Sequence, residues 1–330
     1  MSADSDQFDR LCVLADTALQ TEAWEEAAGL LRRALAMQPE AAMLHAALGQ
    51  VLQRLDQRID ALACFHRAVA LDPECADAYA GLAAEMGRSG RLEERDDFLR
   101  RWLAIRIRRD GRTREAPASA TQIRDTTLVC VDCRYHALAA DALSRVLERC
   151  RFERALFFTD ADVRLPGVER VRIAPIASIQ AYSHFILKEL DRYIETGFAL
   201  VMQYDGYVLN GACWSSAFQH YDYVGAPWKY ADGMTVGNGG FSLRSKRLLR
   251  ALQDPEIAPL NPEDIAICRT YRPLLEKRHG IRFAPPEVAA RFSFESLPPP
   301  GPTFGFHGID HLYYLLGMSD AEIAAYRPPR

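Results

Sequence analysis

Residues 24–39 read WEEAAGLLRRALAMQP, and residues 58–73 read RIDALACFHRAVALDP. The stretches end on Pro39 and Pro73, 34 residues apart, and the same step runs through the positions before them. Trp24, Arg58 and Leu92 are so spaced, as are Ala27, Ala61 and Arg95. Leu31, Phe65 and Leu99 follow, then Ala34, Ala68 and Trp102. Half a unit earlier stand Ala15, Gly49 and Ala83, each preceded by a leucine: Leu14, Leu48 and Leu82. Small residues at fixed places let the two helices of a unit, and neighbouring units, approach closely. The prolines after Gln38 and Asp72 stop one helix before the next unit begins.

This helix-turn-helix period resembles that of tetratricopeptide repeats. Two units are clear, and the third departs from them, with Arg95 and Trp102 in alanine places and Ile107 in that of the proline. A changed terminal unit is what caps a repeat array. Residues 1–110 are therefore expected to form an α-helical tetratricopeptide repeat domain. Such an array offers a concave face to a protein partner, or serves self-association. Arg100, Arg101, Arg106, Arg108, Arg109, Arg112 and Arg114 make a basic run that reads as a solvated helix end. Gly111 and Ala116–Thr121, with Pro117, mark residues 111–124 as a linker.

Composition sets the outer bounds. The 330 residues are 49% hydrophobic and 25% charged, enough for two globular domains, and the net charge is -4. A grip on phosphate backbones usually needs the opposite sign, so nucleic acid is not an expected partner. Met1–Arg10 has neither a basic nor an apolar leader region, and no apolar run is long enough to span a membrane. Eight scattered cysteines fit a reduced, cytoplasmic setting. Cys130 and Cys133 form a lone C-x-x-C whose members point to opposite faces of a strand, and buried thiols are the expectation.

From Thr126 the pattern changes to short apolar runs alternating with helices. Thr127–Val131 ends in Asp132, Leu156–Phe158 leads to Thr159 and Asp160, and Phe198–Met202 is followed by Gln203, Tyr204 and Asp205. Val168–Ile173 reads as a further strand, and Leu138–Leu147 and Ser178–Thr196 as helices. This alternation predicts a mostly parallel sheet. Ligands of such sheets bind beyond the carboxyl ends of the strands, where Asp132, Asp160 and Asp205 fall. Each could equally cap its own turn. Neither a G-x-G-x-x-G nor a Walker sequence is present.

Three longer blocks carry a family resemblance. They are residues 203–208 (QYDGYV), 221–228 (YDYVGAPW) and 236–244 (VGNGGFSLR), joined by Pro262-Glu263-Asp264 and by residues 304–308 (FGFHG). Together they resemble an uncharacterised bacterial family of glycosyltransferase-like domains. That family is similar to GT-A-fold enzymes of the fringe and β-1,3-galactosyltransferase kind. The resemblance covers roughly Asp125–Leu316, and implies a GT-A-like α/β domain, Rossmann-like with a mixed sheet, over residues 125–330.

The implied reaction moves a sugar from a nucleotide diphosphate sugar to a hydroxyl acceptor of unknown identity. The alternative is a catalytically inactive nucleotide-sugar-binding or scaffold protein acting through its repeats. Asp205 and His307 match the aspartate and late histidine that hold a divalent metal, Mn or Mg, on the donor diphosphate. Tyr207 stands in the place of the usual second aspartate. Asp132 or Asp160 as a further ligand, or a diphosphate held without metal, therefore stay open. Gly237, Asn238, Gly239 and Gly240 would bring backbone close to the donor, and Trp228 would stack on a sugar or simply fill the core. Asp264, with Glu263 as alternate, matches the acidic pair that supplies the base. Asn261 as N-cap and Pro262 at the first helical position would make the same pair a helix start. His311 follows His307 at four residues, but the H-E-x-x-H pattern is absent.

Overall fold

The computed structural model describes residues 3–110, 120–309 and 311, which fall into two compact units. Residues 111–119, hence most of the segment read as a linker, lie outside the described part, as do Arg112, Arg114, the side chains of Arg108 and Arg109, and everything beyond 311.

Among the described residues the first unit is six helices: α1 (Ala3–Gln20), α2 (Trp24–Met37), α3 (Ala42–Arg54), α4 (Arg58–Leu71), α5 (Ala76–Arg88) and α6 (Leu92–Asp110). They pack as successive pairs, α1 on α2, α3 on α4 and α5 on α6, in a tetratricopeptide-like array. The 34-residue step has a backbone counterpart: Glu22, Asp56 and Gly90, at the turn inside each pair, all take left-handed φ of 56°, 58° and 73°.

Phe65 is the plug of this array. It is fully buried, and its ring occupies the space that β-carbons on Gly49 and Gly81 would need, at 2.6 and 2.2 Å. The close approach expected of small residues is thus met by one aromatic ring. Trp24 differs from Phe65. It is only partly buried, lies under the Arg54 guanidinium at 5.6 Å, and lines a groove of about 630 Å³ between α3 and α5. Leu14 is 45% exposed, whereas its counterparts Leu48 and Leu82 are buried.

The second unit has a six-stranded mixed sheet. Short strands β1 (Thr121–Gln122) and β3 (Cys150–Arg151) pair with each other outside it, and Ile123 between β1 and the sheet is fully buried. The sheet consists of β2 (Thr126–Val131), β4 (Arg154–Thr159), β5 (Glu169–Arg172), β6 (Phe198–Met202), β7 (Tyr223–Val224) and β10 (Phe241–Ser245), in the order β5-β4-β2-β6-β10-β7. Strands β5, β4, β2 and β6 run parallel, as the alternation predicts, and β10 and β7 are antiparallel additions at one edge, so the sheet is mixed.

Helix α7 (His136–Arg149) follows β2 as its amphipathic pattern predicts. The helix expected over Ser178–Thr196 starts as predicted, with Ser178 Oγ accepting from the Ala181 amide, but it is not regular. It runs as α8 (Ile179–His184), then a π turn over Phe185–Glu189, then a 3₁₀ turn over Leu190–Tyr193. The irregular part buries Phe185 and Leu190 under the sheet, with Phe158 meeting Phe185 and Tyr193 edge-on at 5.1 and 4.9 Å. Two short pairs complete the unit: β8 (Ala226–Pro227) with β9 (Val236–Gly237), and β11 (Ser293–Phe294) with β12 (Gly305–Phe306). α9 (Lys246–Ala251), α10 (Glu263–Ile265), α11 (Arg272–His279) and α12 (Pro286–Phe292) lie between them. No helix among the described residues is long and apolar enough to cross a membrane.

Candidate functional site

Register alone brings the strand-end residues to one edge. Cys130 pairs with Met202 and Val131 with Phe158, so Asp132, Asp160 and Gln203 emerge together at the carboxyl ends of β2, β4 and β6. Asp132 spends its carboxylate locally: Oδ1 accepts from the amides of Arg134 and Tyr135 at 2.9 and 2.5 Å. Burial raises its pKa against those two bonds, and the neighbouring Asp205 carboxylate raises it further. Asp160 is bound to His136 Nε2 at 2.8 Å, which holds its carboxyl below the ordinary range. A cleft of about 220 Å³ opens beside them, lined by Asp132, Tyr135, Tyr182, Gln203 and Tyr204.

Asp205 and His307, about a hundred residues apart in sequence, do meet. The β12 segment runs back along the loop after β6: Phe306 donates its amide to Tyr207 O, and Gly308 to Asp205 O at 2.9 Å. This places His307 Nε2 3.4 Å from Asp205 Oδ1. Nε2 also faces Gln203 Oε1 at 3.3 Å, while Nδ1 contacts Glu295 Oε1 at 2.9 Å. Burial alone would lower the His307 pKa, but Asp205 and then Glu295 outweigh it and raise it to about 10. Tyr207 belongs to the core: it is 3% exposed and meets Phe306 edge-on at 4.7 Å.

The glycine loop is filled by the chain's own side chains. A β-carbon on Gly237 would stand 2.1 Å from the Trp228 ring, one on Gly239 2.1 Å from Glu263 Oε1, and one on Gly240 2.0 Å from His307 Nε2. These glycines thus let Trp228, Glu263 and His307 in. Asn238 is fully buried with φ 81°, its Oδ1 accepting from the Gly240 amide. Trp228 packs partly buried against the core, edge-on to Tyr230 at 5.6 Å, and donates Nε1–H to Glu295 Oε2 at 3.3 Å.

The acidic pair divides into two environments. Glu263 is 4% exposed and paired with the fully buried Arg244, Nη2 to Oε1 at 3.0 Å. Burial raises the Glu263 pKa, and Arg244 pulls it back. Asp264 lies nearer the surface: Oδ2 accepts from the Gly239 amide at 3.1 Å and Oδ1 from the Ile265 amide at 2.7 Å. Pro262, not Asn261, is the N-cap of α10, so the helix opens on Glu263 rather than on the proline. His311 does not join His307, because its Nε2 bonds Glu295 O at 2.7 Å and its ring packs on Phe294.

The sequence alone assigns no role to three participants: Gln203, Glu295 and Arg244. Among the described residues no three His, Cys, Asp or Glu side chains are grouped to hold a metal. The Asp205–His307 pair nevertheless suits one. The imidazole has a carboxylate on one nitrogen and presents the other to Asp205, the arrangement usual for a metal-bound histidine.

A family described as a protein of unknown function (DUF5672) matches residues 167–307, a span holding Asp205, the glycine loop, Glu263, Asp264, Glu295 and His307 but not Asp132 or Asp160. No curated protein matches the chain. Among solved structures, MamA is similar at 16% identity and a TM-score of 0.30, covering 32% of this chain and 61% of that one. The Sgt2 tetratricopeptide domain from Aspergillus fumigatus has 15% identity and a TM-score of 0.29, covering 35% and 88%. An O-GlcNAc transferase variant from Thermobaculum terrenum has 16% identity and a TM-score of 0.27, covering 57% and 45%. The chain spans about three fifths of the MamA chain.

Proposed function

We propose that the second unit is a glycosyltransferase domain that takes a nucleotide diphosphate sugar as donor and a hydroxyl group as acceptor. The observation that carries this reading is the convergence of Asp205 and His307 beside a cleft at the carboxyl edge of the sheet. The cleft between Tyr135, Tyr182 and Tyr204 suits the flat, partly apolar base of a nucleotide. Asp205 and His307 would hold Mn or Mg, whose charge would stabilise a departing diphosphate. Asp264, bonded to the amide of Gly239 in the loop that His307 packs against, would take the acceptor's proton. The repeat array would recruit the acceptor, a protein partner, or a second copy of the chain.

A second reading, donor binding without turnover, is favoured by one observation. Both Asp264 oxygens already accept backbone amides, and Glu263 is committed to Arg244. Incubation with UDP-, GDP- and TDP-sugars, with and without manganese, separates the two. Donor hydrolysis or transfer is the expected result. Binding without turnover supports the second reading, and no binding under any condition removes both.

A further inference from the structure

Three donor atoms meet at the carboxyl edge of β6. His307 Nε2 stands 3.4 Å from Asp205 Oδ1 and 3.3 Å from Gln203 Oε1. Metal bonds of ~2.0–2.2 Å place neighbouring donors about 3.0 Å apart around an octahedral ion and about 3.4 Å apart around a tetrahedral one. The two separations from His307 Nε2 fall within that span.

The backbone fixes Gln203 where it is. Its amide donates to Gly240 O at 2.8 Å, and its carbonyl accepts from the Gly206 amide at 3.2 Å. Glu295 settles the ring from the other side. With Oε1 on Nδ1 at 2.9 Å and Oε2 on Trp228 Nε1, it leaves Nε2 facing the two oxygens. An amide oxygen is an ordinary ligand for hard divalent ions.

We propose that Gln203 is the third protein donor to the divalent cation held by Asp205 and His307, and that Glu295 is the positioning residue that orients His307. This rests on the metal-assisted reading above. Gln203-Tyr204-Asp205 then supplies two oxygen donors separated by one residue, and Tyr207 is irrelevant to the site. A neutral amide in place of a carboxylate also makes the site a weaker binder than a two-carboxylate one would be.

The test is Mn²⁺ titration of the full chain, with the free ion followed by electron paramagnetic resonance and the fold of each variant checked by thermal melting in chelator. Gln203→Ala should weaken Mn²⁺ binding about tenfold or more, and Gln203→Asp should tighten it. Glu295→Gln should weaken it ~10–100-fold, as loss of an orienting partner does. If the parent chain itself binds no Mn²⁺, the metal reading falls and this one with it. If the parent binds and Gln203→Ala and Gln203→Asp bind equally well, only the Gln203 assignment is overturned. Should Gln203→Ala fail to fold, the near-isosteric Gln203→Glu takes its place beside Gln203→Asp, and unchanged affinity in both has the same force.

Discussion

Arg244 and Glu263 form an ion pair that water does not reach: Nη2 stands 3.0 Å from Oε1, with side chains 0% and 5% exposed. The same guanidinium donates to Gly239 O at 3.2 Å and to Ser242 Oγ at 3.0 Å. Gly239 is thereby gripped through its carbonyl by Arg244 and through its amide by Asp264. The pair is the internal splint of the loop that His307 packs against.

Removing one member of such a pair strands the other charge in the core. Arg244→Met should destabilise the second unit by about 3–5 kcal/mol, whereas adding Glu263→Met to it should cost little more or regain part of the loss. Urea unfolding of the parent, the two single variants and the double variant gives the coupling directly. A coupling energy near zero would mean that water screens the pair.

The turns inside the repeats offer a stabilising change. Glu22 holds φ 56° on an exposed turn where the third unit has Gly90. A left-handed conformation costs a residue with a β-carbon roughly 1–2 kcal/mol, and glycine's extra freedom in the unfolded chain returns ~0.5–1 of that. Glu22→Gly should therefore raise stability by up to about 1 kcal/mol, and Gly90→Ala should lower it, both read from the loss of helical signal in urea. Equal midpoints for all three chains would show that the turn carries no strain.

Much of this is legible in the sequence, and the physical reason differs from part to part. The 34-residue step and the run Phe198–Met202 can be read directly, because helix pairing and strand burial impose patterns that neighbours in sequence share. The regular helix expected over Ser178–Thr196 is not realised, since its π and 3₁₀ turns follow from how Phe185 and Leu190 must enter the core. Asp205 is legible as an aspartate beyond a strand end, but its pairing with His307 is legible only through a family resemblance. Glu295 has no signal at all: it reaches His307 because β11 and β12 pair in parallel, a contact that no local pattern announces. Gln203 could have been found. It stands directly beyond β6, two positions before Asp205, on the edge where ligands bind.

Asp254 sets an acid limit on the second unit. Its carboxylate accepts from the Glu256 amide at 2.9 Å, from His279 at 2.9 Å and from Arg278 at 3.0 Å. The Glu256 amide first, then His279 and Arg278, hold its pKa at about 2, below the ordinary 3.8. A carboxyl with a depressed folded pKa contributes stability that is complete above its unfolded value and is lost as pH falls through the folded one. Asp254→Asn should melt lower than the parent by a constant amount above about pH 5, and the difference should vanish between 3.8 and about 2. A gap that persists unchanged at pH 2 would assign the stability to the hydrogen-bond geometry rather than to the charge.

Asp264 separates a helix start from a general base by magnitude. As a structural residue it ties α10 to the glycine loop, Oδ2 on the Gly239 amide and Oδ1 on that of Ile265. The Asp264→Asn change keeps one acceptor and loses the charge, so the structural reading predicts a loss of about 1 kcal/mol and nearly unchanged turnover. A base removed from the transition state costs roughly 10²–10⁴ in rate with little change in melting temperature. Glu263→Gln is the control, since its carboxylate already serves Arg244 and its loss should appear as instability rather than as slowed chemistry. The proposed transfer therefore expects Asp264→Asn to fold, bind the donor and turn over at least about a hundredfold more slowly. If it transfers sugar at the parent's rate, Asp264 is a fastening of the glycine loop and the proton leaves by another route.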